Sequence, residues 1–128
     1  MIYKAVAEYI ANNVSDFAIG KNLFINQAPN KPATLGLIRD NAGGIEINGE
    51  MNTERSGTFQ FVIRTDHYEE GYVSAKELSD LLTVSNVVMG NYLVKQLRPK
   101  HEPISYQISE ANLYEISVNF SIIYGIVQ

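Results

Sequence analysis

A strict alternation of apolar and polar residues near the end of the chain constrains the fold most. In residues 114–124, Ile116, Val118, Phe120 and Ile122 alternate with Glu115, Ser117, Asn119 and Ser121. Successive side chains on a strand point to opposite faces, so this segment predicts an antiparallel strand with one buried and one polar face. The apolar face of such a strand needs a covering layer.

Other stretches also have the composition of strands. The strongest is 59–65, in which Phe59, Phe61 and Ile63 share one face and Gln60, Val62 and Arg64 share the other. The remaining candidates are bounded by glycine, proline or asparagine and comprise 21–26, 34–39, 86–89, 92–97 and 104–109. Gly90-Asn91 predicts a tight turn between two of them.

Two segments have helical periodicity. Residues 2–14 place Ile2, Val6 and Ile10 on one stripe. A second helix either starts at Ser74, which has capping-box spacing with Glu77, or starts earlier, near Glu69. The chain of 128 residues therefore predicts a single α+β domain over 1–128. Its expected core is a mostly antiparallel sheet of four to five strands, covered on one face by two helices.

A polar, glycine-rich stretch at 40–58 is long for a connection and predicts a projecting loop or hairpin arm. It could be a floppy surface loop. Alternatively it is an arm that becomes ordered against a partner, since an isolated two-stranded hairpin is marginal in water. Gly43 and Gly44 would give its root backbone freedom, and Ile45, Ile47 and Met51 would be its apolar anchors.

Composition excludes several classes of protein. The chain has no cysteine, which excludes disulfides and thiolate chemistry. A net charge of −4 with ten scattered Lys and Arg argues against sequence-independent nucleic-acid binding. The apolar runs are too short to span a bilayer, so we expect no membrane association and synthesis in the cytoplasm.

Candidate chemistry is sparse. Asp66-His67 and Glu69-Glu70 form the densest titratable cluster, which could be a metal site or an acid–base pair. A solvated strand-to-helix connection is favoured instead, because its carboxylates would stabilise the following helix N-terminus. His101-Glu102 lies between prolines and predicts a rigid exposed turn. The sequence predicts no catalytic residue, metal ligand or cofactor, although an enzyme using Asp66, His67 and Glu70 would require them to converge in a cleft.

Three further side chains have two interpretations each. Tyr68 and Tyr72 are four residues apart and could form an exposed aromatic pair on one helix face, or pack in the core. Arg64 could bridge to a neighbouring subunit, or simply be an exposed residue of the sheet.

The order of these elements resembles the tail-terminator proteins of long-tailed bacteriophages, a group that includes minor capsid, or head–tail joining, proteins. The matching features cover most of the chain and comprise the N-terminal helix, Pro29-Asn30-Lys31-Pro32 before 34–39, Asp40-Asn41-Ala42-Gly43-Gly44, the strand 59–65 with Arg64, the helix 74–82 and the alternating last strand.

The resemblance implies a structural virion protein, and not an enzyme, at the head–tail interface. It implies a ring, usually a hexamer, that caps the tail tube and joins it to the head connector or neck protein while DNA passes through without specific binding. Its assembly-interface candidates are Gly43, Gly44, Ile45, Ile47, Met51, Arg55, Arg64, Tyr68 and Tyr72. The alternatives are another neck or tail-completion protein, or a small non-viral binding module.

Overall fold

The computed structural model describes residues 1–29, 34–50, 53–108 and 113–126, and these form two helices and seven strands. The elements are α1 (Ile2–Asn13), β1 (Leu23–Ile25), β2 (Leu35–Ile47), β3 (Glu54–Thr65), α2 (Tyr68–Leu81), β4 (Val84–Met89), β5 (Tyr92–Pro99), β6 (Ile104–Ile108) and β7 (Leu113–Ile126). The predicted α+β class is confirmed. The prediction of four to five strands is wrong, because even the three-residue β1 pairs with a neighbour.

Two long antiparallel units lie side by side in the sheet. β2 and β3 form the first; β7 forms the second with β5 and β6, which pair one after the other along it. β3 and β7 join the two units through a continuous register from Glu54↔Gly125 to Thr65↔Tyr114. β4 and β1 lie at opposite ends of the strand order, and β1 is parallel to β2.

The predicted alternation of the last strand is confirmed, and its apolar side chains build the core. Ile116, Val118, Phe120 and Ile122 are all buried in one cluster with residues of both helices. Phe120 stacks on Phe59 of β3 with 5.4 Å between ring centroids, and Tyr3 of α1 meets Phe59 edge-on at 5.8 Å. Both helices therefore cover the same face of the sheet, which we call the covered face.

A glycine allows α2 to lie close to the sheet. A Cβ on Gly71 would lie 2.5 Å from Cγ2 of Thr65 and 2.8 Å from Cδ1 of Ile116, closer than atoms can pack. The buried side chains of Ala75 and Leu78 continue the same contact one and two turns later. The absence of a side chain at position 71 thus fixes where the helix can dock.

The boundaries of α2 decide between the two predicted starts. The helix begins at Tyr68, so the earlier start is confirmed, and the Ser74–Glu77 capping box is wrong because both residues lie inside the helix. Glu69 and Glu70 occupy the first turn, where the helix dipole stabilises negative charge. Gly90, at φ +59°, supplies the predicted turn between β4 and β5.

The opposite side of the sheet, which we call the open face, carries much less apolar cover. Leu35, Leu37 and Val62 form a small buried cluster there, against which Phe24 and Ala28 pack. No helix in the described part of the chain combines the length and apolar character that crossing a membrane requires.

Candidate assembly surfaces

The segment predicted as a loop or arm is a hairpin that belongs to the sheet. Beyond an irregularity after Asp40, β2 and β3 pair again at Ile45↔Gly57 and Ile47↔Arg55. β3 also stays paired with β7 as far as Glu54. The two sides of the hairpin end, residues 45–50 and 53–57, therefore continue β2 and β3, and residues 45–47 and 54–57 are paired within the sheet.

Glycines allow the irregularity in the pairing of β2 with β3. Gly44 adopts φ +61°, which favours glycine, and Gly43 also lies within β2. A Cβ on Gly57 would lie 2.4 Å from the Gly44 carbonyl oxygen, so the two strands approach each other here more closely than side chains allow. The glycines that suggested a loop instead build a bulge in a long strand.

The predicted anchors of the hairpin differ in burial. Ile45 packs against the core, whereas Ile47 is 66% exposed. Arg55, opposite Ile47, donates a hydrogen bond from Nη1 to the Glu54 carbonyl oxygen at 3.1 Å. Met51 lies outside the described residues. Among the described residues of this hairpin, Ile47 is the large apolar side chain that a partner could cover.

Polar contacts hold the base of the hairpin end to β5. Lys95 Nζ lies 2.8 Å from Glu54 Oε1, and Asn48 Nδ2 donates to Glu54 Oε2 at 2.7 Å. Lys95, followed by Asn48, lowers the pKa of Glu54 because both hydrogen bonds stabilise its carboxylate. One carboxylate of β3 thus connects β5 with the residue that follows β2.

Arg64 makes a contact within its own chain. Its Nη2 donates to the carbonyl oxygen of Pro29 at 2.6 Å, which ties β3 to the segment after β1. Glu115 lies directly across the strand pair from it. The side chain is half-buried on the open face.

The two predicted tyrosines form an aromatic corner with a third. The ring of Tyr68 lies 6.1 Å from Tyr72 and 5.4 Å from Tyr114 of β7. Tyr68 is 39% exposed, whereas Tyr72 is half-buried against the core cluster. The corner thus combines both interpretations, with one ring outward and one inward.

The titratable cluster at the start of α2 is solvent-exposed. His67 Nε2 lies 3.6 Å from Asp66 Oδ1, with 67% and 49% of the two side chains exposed. They line an open depression with Glu69, Glu70 and Tyr114. No group of three or more side chains in the described ranges is arranged to hold a metal ion. The cleft that an enzyme using these residues would need is therefore not formed here.

The segment predicted as an exposed turn connects β5 to β6, which pair one after the other with β7. His101 Nε2 accepts a hydrogen bond from the Asn119 amide at 3.2 Å, and the Lys100 amide donates to the Asn119 carbonyl at 2.8 Å. Pro103 is buried. The predicted exposure holds for Glu102, whose side chain is 73% exposed. His101 is half-buried, because its ring accepts the hydrogen bond from the Asn119 amide.

Sequence reasoning missed the open face as a surface. Its centre contains Gln60 and Asn119, which are directly opposite on β3 and β7, and Arg39 of β2 donates from Nε to Gln60 Oε1 at 3.0 Å. Ile104 and Tyr106 of β6 are 42% and 57% exposed. The polar half of each alternating pattern indicated this face, but only the strand order brings these residues together.

These surfaces are typical of a protein that acts by contact with other protein chains. The described residues form an α+β protein with one open sheet face, an exposed hairpin end and an aromatic corner, and its charged side chains lie on surfaces. The features suit contacts with other chains more than chemistry on a small molecule.

Comparison with known proteins then gives the family. Residues 10–126 match the family described as bacteriophage tail terminator protein, and the chain belongs to that family. It is thus a structural protein of a phage-type virion. A chain from the virion of a native gene transfer agent particle has a similar fold, with a TM-score of 0.64, 15% identity and 96% of each chain covered. No curated protein matches the sequence.

Proposed function

We propose that copies of this chain form a ring, with six members, that caps the finished tail tube and joins it to the head connector or neck protein. Family membership supports this function, and the exposed hairpin end carries the structural argument. The protein acts through shape: subunit contacts close by rotation, and the ring surface stops tube growth while presenting a docking face.

The charge of the chain is compatible with passage of DNA through such a ring. Each chain carries −4, so six copies carry −24. A ring of that sign repels the phosphate backbone, and DNA crosses it without specific binding.

The hairpin end is the assembly element of this proposal. Ile47 is 66% exposed at its edge, and Arg55 lies opposite. A large exposed apolar side chain at the end of a paired strand is suited to burial by a neighbouring subunit or the tail tube. Ile47 lies in a strand segment that is paired with β3, so burial of its side chain costs little backbone conformational entropy.

Replacement of Ile47 by Asp tests this role. The side chain is exposed, so we expect the variant to fold like the wild type but to lose capping of tail tubes and ring formation. Ile19→Asp is the matched control, since Ile19 is 46% exposed at a distance in sequence from the hairpin. Capping is measured by electron microscopy of tube ends, and rings by native mass. Normal rings and capped tubes from the Ile47 variant would remove the hairpin end from the assembly interface.

A further inference from the structure

The open face of the sheet has the features of a surface that a helix covers. It presents a row of uncharged polar residues between two arginines, Arg39 of β2 and Arg98 of β5. These two strands are three steps apart in the strand order, with β3 and β7 between them. At about 4.8 Å per step the two strands are separated by about 14 Å, slightly more than the 10–12 Å diameter of an α-helix.

Exposed apolar side chains add to this surface. Ile104 and Tyr106 of β6 pair with Ser117 and Glu115 of β7, whose side chains point to the open face. Both are substantially exposed. A sheet face with exposed apolar residues is normally covered by another layer, which no described element of this chain supplies at this place.

The outer side of α2 has the complementary features. Glu70, Val73, Glu77 and Asp80 follow helical spacing along one exposed stripe. Val73 is 54% exposed among these carboxylates. Lys76, the only cation on α2, is held by Glu102 at 2.6 Å. The stripe is therefore strongly acidic with an apolar centre.

We propose that the α2 stripe of one copy lies on the open face of the next copy, between Arg39 and Arg98. This inference rests on the proposed ring. The two surfaces lie on opposite sides of a two-layer molecule, so one copy cannot join its own α2 stripe to its own open face. The resulting contact is head-to-tail, the kind that generates a closed ring when its rotation permits.

Charge and polarity select a second copy as the occupant. The α2 stripe offers three carboxylates and Val73; the open face offers two arginines and the exposed rings and methyl groups of Tyr106 and Ile104. Opposite charges across an interface fix its register and suppress other partners. The open face also carries carboxylates: Lys95 pairs with Glu54, Arg64 lies opposite Glu115, and the exposed Glu46 lies opposite Ser56 near the hairpin. Arg39 donates only to the neutral Gln60, and no carboxylate of the described residues pairs with Arg39 or with the exposed Arg98. Both charges are therefore open to a partner's acids.

Paired charge reversals test the contact. The first variant, Glu70→Lys with Glu77→Lys, makes the α2 stripe basic; the second, Arg39→Glu with Arg98→Glu, makes the open face acidic. Each alone brings like charges together at every contact, so we expect assembly to weaken at least about ten-fold in concentration. An equimolar mixture restores opposite charges at every contact of an alternating ring and should assemble like the wild type.

The readouts are native mass in solution and co-sedimentation with tail tubes. Lys4→Glu with Lys21→Glu is the control, because it reverses two exposed charges outside both surfaces. Circular dichroism verifies folding. If the arginine pair disturbs folding, Arg98→Glu with Tyr106→Glu replaces it, since both side chains are exposed.

The outcomes separate this contact from the ring itself. Wild-type assembly with loss in each variant and rescue in the mixture supports the contact. Normal assembly of either folded variant alone, or failure of the mixture, overturns the contact and leaves the ring in place. Absence of wild-type assembly in both readouts overturns the ring, and the contact with it.

Discussion

The two faces of one sheet differ in what their side chains do. On the covered face, Phe59 and Phe120 stack beneath α1, and alternate residues of β7 from Ile116 to Tyr124 are buried. On the open face, Gln60 and Asn119 occupy the same two strands one residue away, with polar contacts at the surface. Neighbouring residues thus serve stability on one side and, by our proposal, assembly on the other.

Substitutions at two neighbouring positions of β3 should differ most in their effect on the free energy of unfolding. Phe59→Ala removes a ring that contacts both Phe120 and Tyr3, and we expect it to lower the free energy of unfolding by about 3–5 kcal/mol. Gln60→Ala, on the open face, should cost only about 1 kcal/mol, because it loses two partly exposed hydrogen bonds from the Arg39 guanidinium to one amide oxygen. Urea unfolding measures both. Equal losses would contradict the division between the faces.

A methyl group added between α2 and the sheet should cause a smaller loss of stability. Gly71→Ala places a methyl group against Thr65 and Ile116, and overpacking of this kind costs about 1–3 kcal/mol. Gly49→Ala is a matched control, because nothing lies within 4 Å of the position its Cβ would take. Thermal unfolding distinguishes the two. An unchanged midpoint for Gly71→Ala would mean that α2 does not dock as closely as described.

The arginines of the open face should have little effect on stability. Arg98 is exposed, so Arg98→Ala should change the free energy of unfolding by less than about 0.5 kcal/mol. The same variant should weaken assembly in the native-mass experiment. A large loss of stability would mean that Arg98 stabilises the folded chain, and would contradict the proposed difference between the two faces.

The smallest expected effect is the pH-dependent contribution of Glu54 to stability. Its folded pKa is lowered by Lys95 and Asn48, so its contribution to stability is present above the unfolded pKa and is lost as pH falls through the folded pKa. We expect wild type and Glu54→Gln to differ slightly in melting temperature at neutral pH and to converge in acid. A difference that grows as pH falls would contradict the ion pair with Lys95.

The covered face could be predicted from the sequence because its buried apolar residues recur at the period of a strand or a helix. The alternation through Ile116, Val118, Phe120 and Ile122 predicted β7 and its buried side correctly, and the stripe in α1 predicted its core contact. These patterns are local, and a period of two or about 3.6 residues determines them.

The hairpin end and the open face could not be predicted in the same way. A stretch that contains Gly43, Gly44 and Gly57 is typical of a loop. In the structure, Gly44 and Gly57 instead allow a bulge in a long strand. Arg39 and Arg98 are far apart in sequence and flank one surface only through the strand order. The alternation indicates which residues of one strand share the polar face, but not which strands lie side by side, so only the tertiary structure brings these residues together.

Cryo-electron microscopy of tail tubes incubated with the purified protein tests the central claim most directly. We predict a ring of six copies at one end of each tube, with the hairpin end containing Ile47 in contact with a subunit or with the tube. Tube ends without added density, at protein concentrations far above those of the tubes, would contradict the assignment as the terminator of the tail.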